Sequence, residues 1–129
     1  MISIEVDAFP AQPSLDALFS AAWGAPPDPA YTTHVLPRSL LHLAAFDGQR
    51  LVGFVNVAWD GGVHAFLLDT TVHPQWQRQG IATRLVRQAA TLARERGAGC
   101  LHVDFEPRLE AFYRGCGFAP TAAGLIRLE

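Results

Sequence analysis

The chain has 129 residues, half of them hydrophobic, and a formal net charge of −2. That apolar share suits a domain with a buried core and excludes a disordered chain, while the charge balance excludes a global field drawing it to nucleic acid or acidic lipid. No apolar run approaches the roughly 20 residues of a membrane span, no basic-then-apolar leader opens the chain, and Cys100 and Cys116 form no CxxC pair; the reading is one domain over residues 1–129, cytoplasmic, with reduced thiols.

Ile2, Ile4 and Val6 alternate with Ser3, Glu5 and Asp7, which predicts a half-buried first strand. Ser14 to Trp23 reads as a helix with Leu15, Leu18, Phe19 and Ala22 on one side, closed by Gly24. The run Ala25-Pro26-Pro27-Asp28-Pro29 fits neither helix nor central strand. Residues 24–37 are therefore expected as a long ordered loop, with Tyr31, His34 and Arg38 as its polar offerings. Leu41–Phe46 and Arg50–Trp59 flank the hairpin signal Asp47-Gly48. Asp60-Gly61-Gly62 is a second such signal, leading into Val63–Val72.

Pro74 ends that third strand, because it has no N–H to give. Ile81, Ala82, Leu85, Val86, Ala89, Ala90 and Ala93 then share one helical face, with Arg84, Arg87, Thr91, Arg94 and Glu95 opposite. A further strand is expected at Cys100–Phe105, completing a βαβ unit with a right-handed crossover. Pro107 opens a short helix carrying Leu109, Phe112 and Tyr113, which stops at Gly115–Gly117. Phe118–Pro120 and Leu125–Leu128 read as two last strands around a turn at Thr121–Gly124. The fold class is α/β: a mixed, partly antiparallel central sheet flanked by helices, with the βαβ unit as its ligand-binding part.

The turn Gln77-Arg78-Gln79-Gly80-Ile81-Ala82 opens the main helix. The first amides of a helix have no intrahelical acceptor, and with the macrodipole they form an anion site. Gly80 and Ala82 lack bulk, so a ligand can approach the backbone. Arg78 and Thr83 add side-chain donors. The ligand this predicts is a phosphate or pyrophosphate. It is not held in one of the commoner nucleotide motifs, since GxxxxGK[ST] and a GxGxxG after a strand are both absent.

Val72-His73-Pro74, then Gln77 to Ala82 opening a helix, then Phe112-Tyr113-Arg114-Gly115-Cys116-Gly117-Phe118, form an ordered set at fixed spacing. The set resembles the GNAT-type acyl-CoA-dependent N-acetyltransferases, over roughly residues 41–120. The resemblance implies acetyl-CoA as cofactor and a primary amine of a small molecule or peptide as acceptor. It implies that residues near Thr70, Thr71 and Val72 hold the pantetheine arm through strand-edge hydrogen bonds. The same strand would offer a backbone N–H to the thioester carbonyl. Gln77, Arg78, Gln79, Gly80, Ile81, Ala82 and Thr83 would hold the phosphates, and residues 24–37 would line the acceptor side. Many members carry an Asn seven residues before the Tyr; here Glu106 stands there, so no contact from that Asn carries over.

Acetyl transfer needs a neutral amine, donors for the oxyanion and a proton for the departing thiolate. A phenol near pKa 10 is protonated at neutral pH and can supply that proton to a thiolate whose conjugate acid lies near 8.5. Tyr113 is the residue the family pattern puts in that role. Asp69, a carboxylate in an otherwise apolar strand, needs a partner or a function and is a candidate base. His64, His102, Asp104 and water are its rivals. No His or Asp pair has metal-ligand spacing.

Two other classes compete. One is a CoA-binding sensor or interaction module without catalysis, which would have no use for a placed phenol. The other is a domain using its Arg-rich helix to contact protein or nucleic acid, which would need no small residues at that helix's start. The sequence sets no oligomeric state, and a homodimer is open. Residues 24–37 show no acidic cluster, and a polycationic acceptor prefers acidic walls; the expectation is a small amine or an amino-acid-like one.

Overall fold

Arg50–Trp59, with three Val and one Phe, forms the middle strand of a five-stranded sheet in a computed structural model that describes residues 1–129. We number the strands β1 (Ile2–Val6), β2 (Ser39–Asp47), β3 (Arg50–Trp59), β4 (His64–Val72) and β5 (Cys100–His102). Their order in the sheet is their order in the chain. All neighbours are antiparallel except β4 and β5, which run parallel.

The crossover between β4 and β5 is helix α2 (Ile81–Glu95). Its stripe of Ile81, Leu85, Val86, Ala89 and Ala93 is buried against Leu43, Val55, Val57, Ala65 and Leu67. The helix packs closely over Gly53. A Cβ there would stand 3.1 Å from Leu85 Cδ1 and 3.2 Å from Ile81 Cγ2, so the missing side chain sets the depth of the packing.

Helix α1 (Gln12–Trp23) covers the other face. It begins at Gln12 rather than Ser14, because Pro13 fits the first turn, where its absent N–H costs nothing. Gly24 closes it at φ 85, with its N–H donating to Ser20 O at 2.9 Å. Leu15, Leu18 and Phe19 pack with Tyr31 and Leu36 on Ala44, Leu51 and Phe54.

The segment expected as a long ordered loop contains two short helical turns. Asp28 Oδ1 accepts from Ala30 N at 2.7 Å, and a π-helical turn Tyr31–Val35 and a 3-10 turn Leu36–Arg38 follow. Pro26, Pro27 and Pro29 bar helix only up to residue 29, and Pro37 sits in the first turn of its 3-10 segment, where it is tolerated; between them Tyr31 and Leu36 are buried.

β4 carries the irregularity that shapes the molecule. Phe54 pairs with Thr71 and Asn56 with Leu68, so Asp69 and Thr70 together stand opposite Val55. Asp69 takes φ 58, the left-handed region that Asp tolerates better than most residues, and the pair is a β-bulge. Before the bulge, Ala65 and Leu67 pack with α2. After it, Thr71 lies beside Phe54 on the α1 side, and Val72 beside Gly53 on the α2 side.

β5 ends at His102 rather than Phe105, and its ladder with β4 stops at the pair Phe66–His102. Past that point the twisted end of β4 has no strand along its outer edge. The last two expected strands are also absent: residues 118–129 form no helix or strand. Segments of three and four residues yield few ladder bonds, and a lone hairpin is marginal without a sheet to join. Helix α3 (Glu110–Gly115), preceded by the 3-10 turn Pro107–Leu109, closes the end of the β4–β5 gap.

Candidate active site

The chain leaves β4 through His73 and a 3-10 turn, Pro74–Trp76. Trp76 is braced, with its Nε1 donating to Asp47 Oδ2 at 2.9 Å and the Arg50 guanidinium 4.8 Å from its ring centroid. Arg78 at φ 65 and Gly80 at φ 80 then swing the backbone into α2. Gly80 is the N-cap and offers no side-chain cap, so the opening amides of α2 keep no side-chain acceptor there. A Cβ on Gly80 would meet nothing within 4 Å; the space above the backbone is open.

That space belongs to a cleft of about 650 Å³. Thr70 and Val72 of β4 line it, as do Gln77, Arg78, Gly80, Ile81, Ala82 and Thr83. Ala22, Trp23, Trp76, Arg108, Leu109, Phe112 and Tyr113 complete it. Two of the expected cofactor residues stand apart. The Thr71 side chain is 1% exposed on the opposite face, where its Oγ1 accepts from Trp23 Nε1 at 3.0 Å and donates to Asp69 O at 2.8 Å. The bulge put it there, by reversing which face each later residue meets. Gln79 is exposed and does not line the cleft; it sits at the outside of the turn between two left-handed residues.

A second cleft, of about 800 Å³, meets the first at Trp23, Thr70, Leu109 and Tyr113. Tyr113 is 7% exposed, stacked on Phe105 with ring centroids 4.9 Å apart and met edge-on by Phe112 and Phe118. Burial pushes its phenol above the ordinary value, the Thr70 hydroxyl beside it pulls part of the way back, and the Asp104 carboxylate pushes it up again.

Asp69 lies in the second cleft, exposed, not within the strand's apolar interior. Its Oδ2 accepts from Tyr31 Oη at 2.7 Å. Tyr31 is 4% exposed, and burial, then the charge of Asp69, push its phenol far above the ordinary range. The phenol is therefore a permanent donor to the carboxylate.

The rivals are dispersed. His64 Nδ1 and His102 Nε2 are 2.8 Å apart, with His102 stacked on Phe66, and neither histidine lines either cleft. Asp104 does line the second. No group of three or more His, Cys, Asp and Glu is placed to hold a metal ion. Of the three polar residues expected to serve the acceptor side, Tyr31 reaches the second cleft, whereas His34 and Arg38 line a separate hollow of about 480 Å³ with Ser39 and Asn56.

The arginines of α2 divide by role. Arg78, just before it, lines the first cleft. Arg87 donates to Gly115 O at 3.1 Å, and Arg96 to Asp7 Oδ2 at 2.7 Å and Leu40 O at 3.0 Å; these two hold neighbouring elements in place.

Sequence reasoning missed Trp23 and Arg108 in the first cleft, and the acidity of the second. Asp28, Asp69, Asp104 and Glu106 line that second cleft with no Arg or His among its residues. Three of the four come from β4 and the segment after β5, so the composition of residues 24–37 gave no sign of them. Residues 24–37 themselves supply one acid of this cleft, Asp28. Arg108 had a signal, lying on the turn that leads into the Tyr113 helix; Trp23 had none, because only tertiary packing brings the end of α1 to β4.

Residues 6–118 match the model of the acetyltransferase (GNAT) family. The chain belongs to this family. A GNAT-family acetyltransferase of Streptococcus pneumoniae shares its structure at a TM-score of 0.82 and 27% identity, over 100% of each chain. The aminoglycoside N-acetyltransferase AAC(6')-Iy, solved in complex with CoA, shares the GNAT fold at a TM-score of 0.80 and 17% identity, over 100% of this chain and 95% of its own. In sequence, the uncharacterized N-acetyltransferase ycf52 of Porphyra purpurea is 30% identical over 76 residues, 59% of this chain and 44% of that protein. The chain thus matches less than half the length of that curated relative. No helix is long and apolar enough to cross a membrane.

Proposed function

We propose that this chain transfers an acetyl group from acetyl-CoA to a primary amine of a small molecule or peptide, by direct attack of the amine on the thioester. The observation that carries the reading is the junction of the two clefts at Thr70 and Tyr113. One cleft leads from that junction to a helix start suited to phosphate; the other leads to a carboxylate.

The residues fit the cofactor. Gly80 leaves open space over its backbone, Arg78 and Arg108 supply positive charge in the wall, and β4 has a free edge beyond its pairing with β5. Bound acetyl-CoA supplies the activated acetyl group as a thioester. The amides opening α2, with Arg78 and Thr83, would hold the pyrophosphate. The edge of β4 near Thr70 and Val72 would pair with the pantetheine amides and offer an N–H to the developing oxyanion.

Asp69 accepts the amine proton, directly or through water, with Tyr31 fixing the carboxylate. Tyr113 gives a proton to the sulfur. Its environment supports that role, since burial keeps the phenol protonated and the aromatic rings around it hold its direction.

The test is thermal shift with acetyl-CoA, then thiol release with amines. Ligand at 100 times Kd stabilises by about 2.7 kcal/mol. Absence of both a shift and amine-dependent thiol release would defeat the reading.

A further inference from the structure

The second cleft has walls of one chemical character at both levels. Five aromatic rings face it, Phe19, Trp23, Tyr31, Phe105 and Tyr113, and its charges are carboxylates throughout. The four acids are not equivalent. Glu106 is already paired with Arg108 Nε at 2.9 Å, and Asp28 spends one oxygen on Ala30 N. Asp69 uses Oδ2 for Tyr31, and Asp104 has no side-chain hydrogen bond or ion pair and acts electrostatically on Tyr113. Asp69 and Asp104 thus line the second cleft from two elements, β4 and the segment after β5, each with oxygen to spare.

A monoamine gives one of these carboxylates a partner and leaves the other without one. An acceptor ending in a carboxylate meets repulsion from the whole wall. A second ammonium group, joined through an apolar chain that lies along the rings, satisfies both, and aromatic faces reinforce the preference for cations. We infer that the acceptor is an amine carrying a second positive charge, a diamine or polyamine. The attacking nitrogen sits by Asp69, the chain neighbour of Thr70, and Asp104 holds the cation at the acceptor's other end. This rests on the transferase reading of the same site and goes beyond it by naming the acceptor's charge pattern.

Three probes of equal length isolate that pattern: 1,5-diaminopentane, n-pentylamine and 5-aminopentanoate, whose far ends are positive, neutral and negative. With acetyl-CoA saturating, kcat/KM from thiol release is expected to be at least about tenfold higher for the diamine than for pentylamine, and lowest for the amino acid. Raising the salt from 50 to 500 mM is expected to narrow the first gap, because partly exposed charges are screened. Asp104→Asn is expected to reduce the ratio of diamine to pentylamine toward one.

Transfer to pentylamine as efficient as to the diamine, or preference for the amino acid, overturns the inference and leaves the transferase reading standing. A ratio that Asp104→Asn does not change overturns the assignment of the distal site. If no amine is acetylated and acetyl-CoA does not bind, the transferase reading fails by itself. Calorimetric titration of the protein with the three probes alone then decides: binding of the diamine but not of pentylamine supports the cation site, and equal or no binding overturns it.

Discussion

Tyr31 Oη stands 2.7 Å from Asp69 Oδ2, so a buried phenol on a helical turn holds an exposed carboxylate on the bulge of β4. Two substitutions separate orientation from charge. Asp69→Asn keeps the shape and removes the proton acceptor, and kcat/KM is expected to fall by at least about tenfold. Tyr31→Phe keeps the acceptor and removes the donor that orients it, so a smaller fall in kcat/KM is expected, with a stability loss of about 1 kcal/mol. Rates unchanged by either substitution return the pair to a structural role and favour water as the base.

Tyr113→Phe removes one oxygen and leaves the ring between Phe105, Phe112 and Phe118. General acid catalysis contributes about 10²–10⁴-fold. With partial rescue by water, kcat is expected to fall by at least about tenfold while acetyl-CoA affinity and melting temperature hold. Burial raises the phenol above its ordinary value, so in the unaltered protein the rate is not expected to lose this donor as pH approaches about 10. A kcat within twofold, with chemistry shown to limit the rate, would make Tyr113 a packing residue.

Gly80 combines φ 80 with open space above it. Valine there is strained in the left-handed region and projects a branched side chain where the phosphates are expected. Gly80→Val is expected to abolish acetyl-CoA binding by calorimetry while circular dichroism stays near that of the parent. Undiminished affinity in the folded variant would refute the anion site.

His42 gives the fold a dependence on pH. Its Nε2 lies 2.7 Å from Ala8 O, while Nδ1 is buried without a partner. Burial pushes the imidazole below its ordinary value; the Ala8 carbonyl and Asp7 oppose that and Arg96 adds to it. The unfolded chain then binds a proton that the folded one refuses. Stability is full above about pH 6.5 and falls as pH drops from there toward the folded value. His42→Gln keeps a donor for Ala8 and does not titrate, so its melting temperature is expected to vary less between pH 6.5 and 5. Parallel curves for the two proteins would assign the acid sensitivity elsewhere.

Elements with a strong period were legible in the sequence. The apolar stripe from Ile81 to Ala93 and the hairpin Leu41–Trp59 around Asp47-Gly48 carry their own patterns, and α2, β2 and β3 follow them closely. The turn before α2 was legible because Gly80 followed by an apolar stripe marks a helix start whatever the tertiary context. What depended on the register between strands was hidden. A bulge leaves no mark in composition, so Thr71 read as equivalent to Thr70 and Asp69 read as buried. Leu125, Ile126 and Leu128 suggested a strand by hydrophobicity alone, yet they are exposed with no partner strand beside them.

The bulge at Asp69 and Thr70 acts as a phase shifter. A regular strand has a period of two, so it must show the same parity to a given layer along its whole length. With one residue added, β4 feeds odd-numbered residues, Ala65 and Leu67, to the α2 layer at one end and even-numbered Val72 at the other. Substituting either bulge residue alters local chemistry and leaves that parity alone. Deleting one of them makes the strand regular: Thr71 keeps its place opposite Phe54 and Val72 its place opposite Gly53, while the one residue left opposite Val55 must face the α2 layer. The extra residue is what frees Asp69 and Thr70 to turn to the clefts instead. A one-residue deletion here is thus expected to spare the sheet and cost the site.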